Sequence, residues 1–236
     1  HAPIMQLTIS GSGSMEDYRQ YKTRPWQNYY LNRLVVEEGV TSIGDYAFNG
    51  SSYEANYKDI QEIQLPSTIE KIGEQAFCYT LRSVQKISID EANLYYKTID
   101  DVLFTKDGKT LLYAAPKLLN RKGIYSVPEG VEEIKPGAFA NSEYVYVKLP
   151  NSLKKIDDGA FISTGISLMI VPDNVTYIGA TALRGIREIV LPEKVQFISA
   201  DAFESSSAKC RFAGTEEQWN SITWGAPGGY GTTSAP

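Results

Sequence analysis

The chain of 236 residues contains few of the residues on which most enzyme sites depend. Its single histidine is His1, so a Ser-His-Asp or Cys-His arrangement has no base, and a histidine-based zinc site has no ligands. Two cysteines are too few to make a structural zinc site on their own. We therefore predict no catalytic residues, no cofactor-binding residues and no metal ligands, and we expect that the protein is not an enzyme.

Long apolar runs and an excess of positive charge are absent as well. No run of about eighteen apolar residues occurs, so the sequence predicts no insertion of this chain into a membrane. The net charge of −5 lacks the basic footprint that nucleic acid requires, which excludes nucleic acid as a partner. The chain has neither an initiator methionine nor a cleavable signal pattern, so we expect a processed or truncated chain.

What the sequence does contain is one motif repeated six times. It consists of an aliphatic residue, usually followed by proline, then two aliphatic residues four and seven positions after the first, and Ala-Phe at its end. The copies begin at Val36, Leu65, Val127, Leu149, Val171 and Leu191. Successive copies begin 29, 62, 22, 22 and 20 residues apart. A period of this length predicts a solenoid, in which each repeat buries its apolar face against its neighbours.

A short alternating run before each motif predicts one strand per repeat, and two further runs fit the same phase. The inward-facing pairs are Leu34/Val36, Ile63/Leu65, Ile87/Ile89, Tyr125/Val127, Val147/Leu149, Met169/Val171, Ile189/Leu191 and Cys210/Phe212. These pairs predict about eight rungs of a parallel sheet, about 4.8 Å apart. The short repeat leaves room on the return side for one helical or 3₁₀ turn, as at Gly44–Phe48 and Gly73–Phe77.

The interval of 62 residues between two motif copies indicates an insertion. Apolar runs at Ile99–Thr105 and Thr110–Ala114 flank a segment that contains Asp107-Gly108. Asp-Gly between two apolar runs is a hairpin signal. Residues 93–121 are therefore predicted to form a β-hairpin insertion.

Both ends of the repeat array are expected to be capped. Residues 6–35 lack the full motif and are predicted to form an N-terminal cap, in which Trp26 covers the end of the core. Residues 213–224 are predicted to form a C-terminal cap that contains a helix capping box. Residues 1–224 would then form a single solenoid, and residues 225–236 a flexible tail or linker, because they are rich in Gly, Pro, Thr and Ser.

The two cysteines and the two pairs of adjacent aspartates could take part in chemistry, but we predict structural roles for them. Cys78 and Cys210 lie about four or more rungs apart, or about 20 Å, whereas a disulfide needs Cα atoms within about 7 Å. We therefore predict two free, buried thiols.

A glycosidase needs two carboxylates facing each other. Asp100-Asp101 and Asp157-Asp158 are adjacent residues on turns, so solvated or turn-forming roles are predicted for them.

The outward face of the predicted strands is the best candidate site. Its middle rungs place apolar side chains close together with charged residues beside them, which is typical of an interface. The predicted partner-binding face consists of Tyr146, Lys148, Leu168, Ile170, Glu188 and Val190. Alternatively, the hairpin, a neighbouring domain or a second molecule covers this patch.

The repeat closely resembles that of the BspA-like bacterial surface proteins, the Treponema pallidum type of leucine-rich repeat. Val40–Phe48 reads Val-Thr-Ser-Ile-Gly-Asp-Tyr-Ala-Phe, and the repeat of that family reads Val-Thr-x-Ile-Gly-x-x-Ala-Phe. Asn93–Tyr113 is similar to the hairpin unit seen between such repeats, and Phe212–Trp219 is similar to the closing segment of many members. The resemblance implies an α/β repeat solenoid: a leucine-rich-repeat parallel β-sheet with short helical or 3₁₀ turns on the return side and one β-hairpin insertion.

The resemblance also implies a location and a function. A secreted or surface-attached bacterial protein is expected, so the location is extracellular or at the cell surface. The expected function is that of a non-enzymatic binding module without cofactors, which adheres through its strand face to proteins or glycans of host or neighbouring cells. We expect the chain to be monomeric. The alternative function is that of a structural spacer domain in a larger bacterial surface protein.

Overall fold

The computed structural model shows two compact units, residues 1–119 and residues 120–236. It describes residues 5–18, 24–26, 29–49, 60–78, 83–116, 123–204 and 208–225. The predicted tail therefore lies outside the described residues apart from Gly225, as does the end of the predicted insertion at 117–121. In both units short strands stack in parallel, one repeat upon the next. Within the described residues, no helix has the length and apolar character needed to cross a membrane.

The first unit contains two parallel sheets and an antiparallel insertion. Its strands are β1 (Gln6–Ile9), β2 (Gly13–Ser14), β3 (Arg33–Val36), β4 (Val40–Ile43), β5 (Glu62–Leu65), β6 (Lys71–Ile72), β7 (Lys86–Ile89), β8 (Tyr96–Ile99), β9 (Val102–Thr105) and β10 (Thr110–Ala114). The front strands β1, β3, β5 and β7 form one sheet, and the return strands β2, β4 and β6 form the other. Because β1 and β2 pair with β3 and β4, residues 6–14 form a rung before the first full motif.

The second unit repeats the same alternation of front and return strands. Its elements are β11 (Ile124–Ser126), β12 (Glu133–Ile134), β13 (Tyr146–Lys148), β14 (Lys155–Ile156), β15 (Leu168–Ile170), β16 (Tyr177–Ile178), β17 (Glu188–Leu191), β18 (Phe197–Ser199), β19 (Lys209–Phe212), helix α1 (Glu216–Ser221) and β20 (Thr223–Gly225). The front strands pair as β11–β13 and as β15–β17–β19. The return strands β12, β14, β16, β18 and β20 pair without interruption, which keeps the rungs of β13 and β15 consecutive.

The core of each unit is built from the inward residues of the strands and from stacked rings. In the first unit the ring of Trp26 stacks on Phe48 with centroids 5.3 Å apart, and Phe48 stacks on Phe77 at 5.8 Å. In the second unit Phe139 stacks on Phe161 at 4.9 Å. Each phenylalanine belongs to the Ala-Phe pair that ends a motif, and its burial contributes about 1.5–3 kcal/mol. The periodic Phe therefore forms the contact between successive repeats.

The predicted helical or 3₁₀ turns on the return side are wrong for the described residues. In the Ala-Phe turns, alternate N–H groups bond in different directions. The N–H of Ala47 donates to the carbonyl of Gly44 in its own turn (3.2 Å), whereas the N–H of Phe48 donates to the carbonyl of Ala76 in the next repeat (2.8 Å). A 3₁₀ helix needs consecutive local hydrogen bonds. The bonds between repeats therefore replace it.

In five of the six motif copies, a left-handed residue two positions before the final Phe or Leu also ends any helix in the turn. The φ angle there is 57° at Tyr46, 49° at Gln75, 66° at Gly137, 60° at Gly159 and 49° at Thr181. Non-glycine residues rarely adopt this conformation, so the turn is imposed by the stacking of the repeats and does not follow from the local sequence.

The insertion consists of two consecutive hairpins. The run Ile99–Thr105, predicted as one strand, contains a turn at Asp100 and Asp101, which have φ of 51° and 58° and join β8 to β9. A second turn, in which Gly108 has a φ of 77°, joins β9 to β10. Aspartate adopts the left-handed region more readily than most residues. The turn-forming role predicted for Asp100-Asp101 is therefore confirmed, although its position inside the run was missed.

Buried Asn93 anchors the start of the insertion to the preceding repeat. Its Nδ2 donates to the carbonyls of Ser67 (2.9 Å) and Ile69 (2.7 Å), and its Oδ1 accepts from the N–H groups of Tyr95 (2.8 Å) and Tyr96 (2.7 Å). The amide thus has a partner at each end, as a buried polar group requires.

The C-terminal end of the second unit carries the predicted capping box. Thr215 Oγ1 accepts from the N–H of Gln218 (3.2 Å), and Gln218 Oε1 accepts from the N–H of Thr215 (2.7 Å). The indole of Trp219 on α1 lies 5.4 Å from the ring of Phe212 and 5.3 Å from that of Trp224. The helix therefore packs against the last rung.

Both cysteines are free, as predicted, but only Cys78 is buried. Burial raises the pKa of its thiol, so the thiol stays protonated at neutral pH. Cys210 is exposed although its strand partner Ile189 is fully buried. The prediction of a buried thiol is wrong there because β19 is the last strand of its sheet, and no described strand follows it to cover Cys210.

Candidate partner-binding surface

The outward side chains on the front strands of the second unit form the surface that the sequence predicts. The six predicted residues lie on β13, β15 and β17: Tyr146, Lys148, Leu168, Ile170, Glu188 and Val190. Strand pairing aligns Leu168 with Glu188 and Ile170 with Val190. The pairing of β14 with β16 places the rung of β13 directly before that of β15. The structure therefore brings these residues together on three consecutive rungs.

Several large apolar side chains on this surface are exposed. Ile170 is 55% exposed, Tyr146 39% and Leu168 37%, whereas Met169, between Leu168 and Ile170, is fully buried. Alternation along a strand places neighbouring side chains on opposite faces, so Leu168 and Ile170 cannot turn inward without exposing Met169. Their exposure is a consequence of the register.

Two further residues extend the exposed area beyond the predicted face. Ile124, which pairs with Tyr146, is 56% exposed, and Val145 is 53% exposed. The repeat phase already places Ile124 in the outward column of Tyr146, which is the signal that could have identified it. Val145 precedes β13 at a corner, where strand alternation gives no direction. The apolar patch consists of Ile124, Val145, Tyr146, Leu168 and Ile170.

Exposed cations lie beside the apolar patch. This basic border consists of Lys148, Arg187, Lys209 and Arg211. Within the part of the chain that the structure describes, none of the four forms an ion pair. Glu188 pairs in register with Leu168 on one side and Lys209 on the other, and it separates the patch from the cations of β19. The face thus combines exposed apolar side chains, which a partner could cover, with cations that a partner could bind.

The front face of the first unit is different, because its charges bind one another. Glu62 on β5 lies 3.2 Å from Arg33 on β3 and 3.6 Å from Lys86 on β7. Arg33 also donates to Gln64 Oε1 at 3.0 Å. Such exposed pairs contribute only about 0–1 kcal/mol each, but they occupy groups that a partner would need. The candidate surface is therefore the front face of the second unit.

The turn-forming role predicted for the carboxylate pair Asp157-Asp158 holds, since the pair lies at a turn, but a solvated role is wrong for Asp157, which is buried, while Asp158 is half-buried. Lys155 Nζ lies 3.1 Å from Asp157 Oδ1 and 3.3 Å from Glu133 Oε1. Burial raises the pKa of Asp157 to about 6, although Lys155 opposes the shift. Asp158 Oδ1 accepts from the N–H of Ala180 in the next repeat at 2.7 Å, and burial raises the pKa of Asp158 as well. Asp157 is thus paired within its own repeat and Asp158 is bonded to the next one, and the turn position alone indicated neither contact.

A second feature with carboxylates is a depression of about 300 Å³ at the ends of β3, β5 and β7. Glu37, Glu38 and Asp90 contribute to its lining. The carboxylate of Glu38 already accepts from the N–H and the hydroxyl of Ser67, both at 2.9 Å. Over the described ranges, no three His, Cys, Asp or Glu side chains are grouped as a metal site requires.

Comparisons with known proteins agree with this architecture. A family model described as a BspA type leucine rich repeat region matches six copies over residues 22–111 and 123–219. A leucine-rich repeat protein from Eubacterium ventriosum is 18% identical with a TM-score of 0.52, and the match covers 82% of this chain and 73% of that one. A leucine rich cell surface protein from Faecalibacterium prausnitzii is 18% identical with a TM-score of 0.53, covering 82% of this chain and 62% of that one. At this identity the likeness to the solved structures concerns the fold. No curated protein matches the chain.

Proposed function

Because the chain belongs to the BspA type leucine rich repeat family, we propose that it is an interaction module that binds a partner through the front face of its second unit. The observation that supports this most directly is the exposed apolar patch. Leu168 and Ile170 are held outward by a strand register that buries Met169 between them. Contiguous apolar area rimmed by polar groups is typical of interaction sites.

The backbone beneath the patch favours binding as well. β15 pairs with β17, and β17 pairs with β19, so the side chains of the face stand on hydrogen-bonded strands and not on loops. A preorganised surface loses less conformational entropy when it binds. The predicted residues Tyr146, Lys148, Glu188 and Val190 would contact the partner around Leu168 and Ile170.

The proposed setting is extracellular or at the cell surface, and the proposed role is adhesion to proteins or glycans of host or neighbouring cells. The support is the family itself and the related fold from Faecalibacterium prausnitzii, which is named a cell surface protein. No catalytic role is proposed, since Asp157 is paired with Lys155 and Asp158 accepts a hydrogen bond from the next repeat.

The test is binding of the purified chain to immobilised extracellular-matrix proteins and mucin glycans. The variant Leu168→Glu with Ile170→Glu is measured beside the wild type, and far-UV circular dichroism checks that both fold. We expect saturable binding that the double variant weakens at least about tenfold, because two central apolar contacts are lost. The matched control is Val35→Glu, at the equivalent outward position of β3 in the first unit, and it should bind like the wild type.

The alternative function is that of a structural spacer in a larger surface protein. Saturable binding that the double variant keeps would place the binding site elsewhere on the chain, whereas the spacer is supported if no component of the panel binds. In that case the apolar patch is either covered by another part of a longer polypeptide or dispensable.

A further inference from the structure

We propose that the partner segment bound at this face is an acidic polypeptide that also carries apolar side chains. The inference rests on the proposed function and adds the chemical class of the ligand. It depends on three observations of the second unit: the sign of its unpaired charges, their order along the rungs, and the aliphatic character of the patch.

The sign of the charges is opposite to that of the whole chain. The net charge of the protein is −5, yet the basic border adds four cations beside the apolar patch, against the one carboxylate of Glu188 on the predicted face. Lys209 and Arg211 are exposed and form no ion pair with another described residue, whereas Arg33 and Lys86 of the first unit share Glu62. Complementary charge guides a partner to a face and rejects partners of the same sign. An acidic segment is therefore favoured here.

The patch and the cations follow one another along the stack of rungs. The apolar residues lie at or beside β11, β13 and β15, where Lys148 on β13 is the one cation, and the other three cations, Arg187, Lys209 and Arg211, lie at β17 and β19 or beside them. Strand pairing continues the column of Leu168 through Glu188 to Lys209, and that of Ile170 through Val190 to Arg211.

From these columns we infer how long the bound segment is and at which end its acidic side chains lie. Five rungs at about 4.8 Å span about 19 Å, which about six residues of extended chain would cover. A segment that crosses the rungs would place apolar side chains over Leu168 and Ile170. Its acidic side chains would lie beyond Glu188, at Lys209 and Arg211.

The composition of the patch favours a polypeptide over an anionic glycan. Ile124, Val145, Leu168 and Ile170 are aliphatic, and Tyr146 is the single ring in the patch. Aliphatic surface gains free energy by covering other apolar side chains, whereas it offers a sugar neither hydrogen bonds nor an aromatic platform. A sulfated glycan would bind the cations alone and leave the apolar patch exposed to water.

The experiment is a selection of peptides on the full chain. A random library of displayed twelve-residue peptides is bound to the wild type and counter-selected on Leu168→Glu with Ile170→Glu, so that the survivors depend on the patch. We expect survivors with a net charge of about −2 or below and at least two large apolar residues. Affinities are then measured by fluorescence anisotropy at low and high NaCl concentrations, and they should fall as salt rises.

The charge variant Lys209→Glu with Arg211→Glu should weaken the selected peptides at least about tenfold, since both cations become repulsive. The matched control is Lys86→Glu, in the same outward column on β7 of the first unit, and it should change affinity less than about twofold. Circular dichroism is used to check that all variants fold. The combination of acidic survivors and this difference between variants supports the proposal.

The remaining outcomes overturn it in distinguishable ways. Neutral or basic survivors that still need Leu168 and Ile170 leave the proposed function standing and overturn the acidic partner. Saturable binding of heparin that Lys209→Glu with Arg211→Glu abolishes, without acidic survivors, assigns the face to an anionic glycan instead. If the counter-selection leaves no peptide and the matrix panel also fails to bind, the proposed function itself fails.

Discussion

Asp157 shows how much the role of a single residue depends on neighbours that the local sequence does not reveal. In the chain it stands beside Asp158 on a turn, which suggests a solvated carboxylate. In the structure it is buried next to Lys155 of its own repeat and Glu133 of the preceding repeat. Desolvation opposes its ionisation more strongly than Lys155 favours it, so its pKa rises from 3.8 to about 6.

This shift predicts a pH-dependent gain in stability for Asp157→Asn. A raised pKa means that the folded protein holds the proton more tightly than the unfolded chain. The resulting stabilisation is complete below about pH 4 and is lost as the pH rises through about 6. Because one pKa unit corresponds to about 1.4 kcal/mol, the permanently neutral Asn should raise the free energy of unfolding at pH 7.5 by on the order of 2 kcal/mol. At pH 4 it should have little effect.

Urea denaturation at both pH values measures this difference, and Glu133→Gln is the matched control. Burial acts to raise the pKa of Glu133, but Lys135 and Lys155 outweigh it and hold that pKa below its usual value. Stability from Glu133 is therefore present at neutral pH and lost as the pH falls, so Glu133→Gln should destabilise at pH 7.5. A destabilised Asp157→Asn at pH 7.5 would show that its ion pair with Lys155 outweighs the cost of burying the charge.

Among the elements, the front strands could be predicted from the sequence and the return side could not. Inward and outward positions on a front strand follow from alternation inside one repeat, so the exposure of Leu168 and Ile170 was predictable. In an Ala-Phe turn, the N–H of Phe48 finds its acceptor 28 positions later, on Ala76. A local pattern cannot show that bond, and the turn was therefore mistaken for a helical one.

The turn between β8 and β9 leads to a prediction about that hairpin. Asp100 and Asp101 both adopt left-handed φ angles, which cost free energy for any residue with a side chain. Asp100→Gly should remove that cost and raise the free energy of unfolding by about 0.5–1 kcal/mol, measured by thermal and urea denaturation. Asp101, whose backbone carbonyl accepts from the N–H of Ala115 (3.0 Å), is left unchanged.

The opposite substitution in the neighbouring turn is the control. Gly108 has a φ of 77°, and an added Cβ would approach only the end of the flexible Lys97 side chain, at 3.0 Å. Gly108→Ala therefore tests backbone strain with little steric change, and it should lower stability by about 1 kcal/mol. If both substitutions shift stability in the same direction, backbone strain does not decide the stability of this insertion.

For the whole molecule, the repeat phase indicated the stacking but not the difference between the two front faces. The same outward column contains Arg33, Glu62 and Lys86 in one unit and Leu168, Glu188 and Lys209 in the other. Distances were needed to show that the first set is paired and that Lys209 is not. The candidate surface could thus be predicted from the sequence, whereas the proposal of an acidic partner required the structure.

Because the molecule is a stack of repeats, a core substitution in one repeat should destabilise mainly that repeat and its immediate neighbours. Phe161 is fully buried, its ring stacks on Phe139 at 4.9 Å, and its N–H donates to the carbonyl of Ala182 at 2.9 Å. Phe161→Ala removes the contact between repeats and leaves a cavity, so it should cost about 3–5 kcal/mol. Phe161→Leu is the conservative control, because Leu183 occupies the same motif position in the following repeat, and it should cost clearly less.

Native-state hydrogen exchange is the measurement that tests this locality. Each repeat contacts its immediate neighbours, so stability is close to a sum of terms between adjacent rungs. In Phe161→Ala, amide protection should fall at β11, β13 and β15, and strands two or more rungs away, such as β17 and β19, should keep theirs. An equal loss at every strand would mean that the whole chain unfolds as one cooperative unit, and the additive description of the stack would then be wrong.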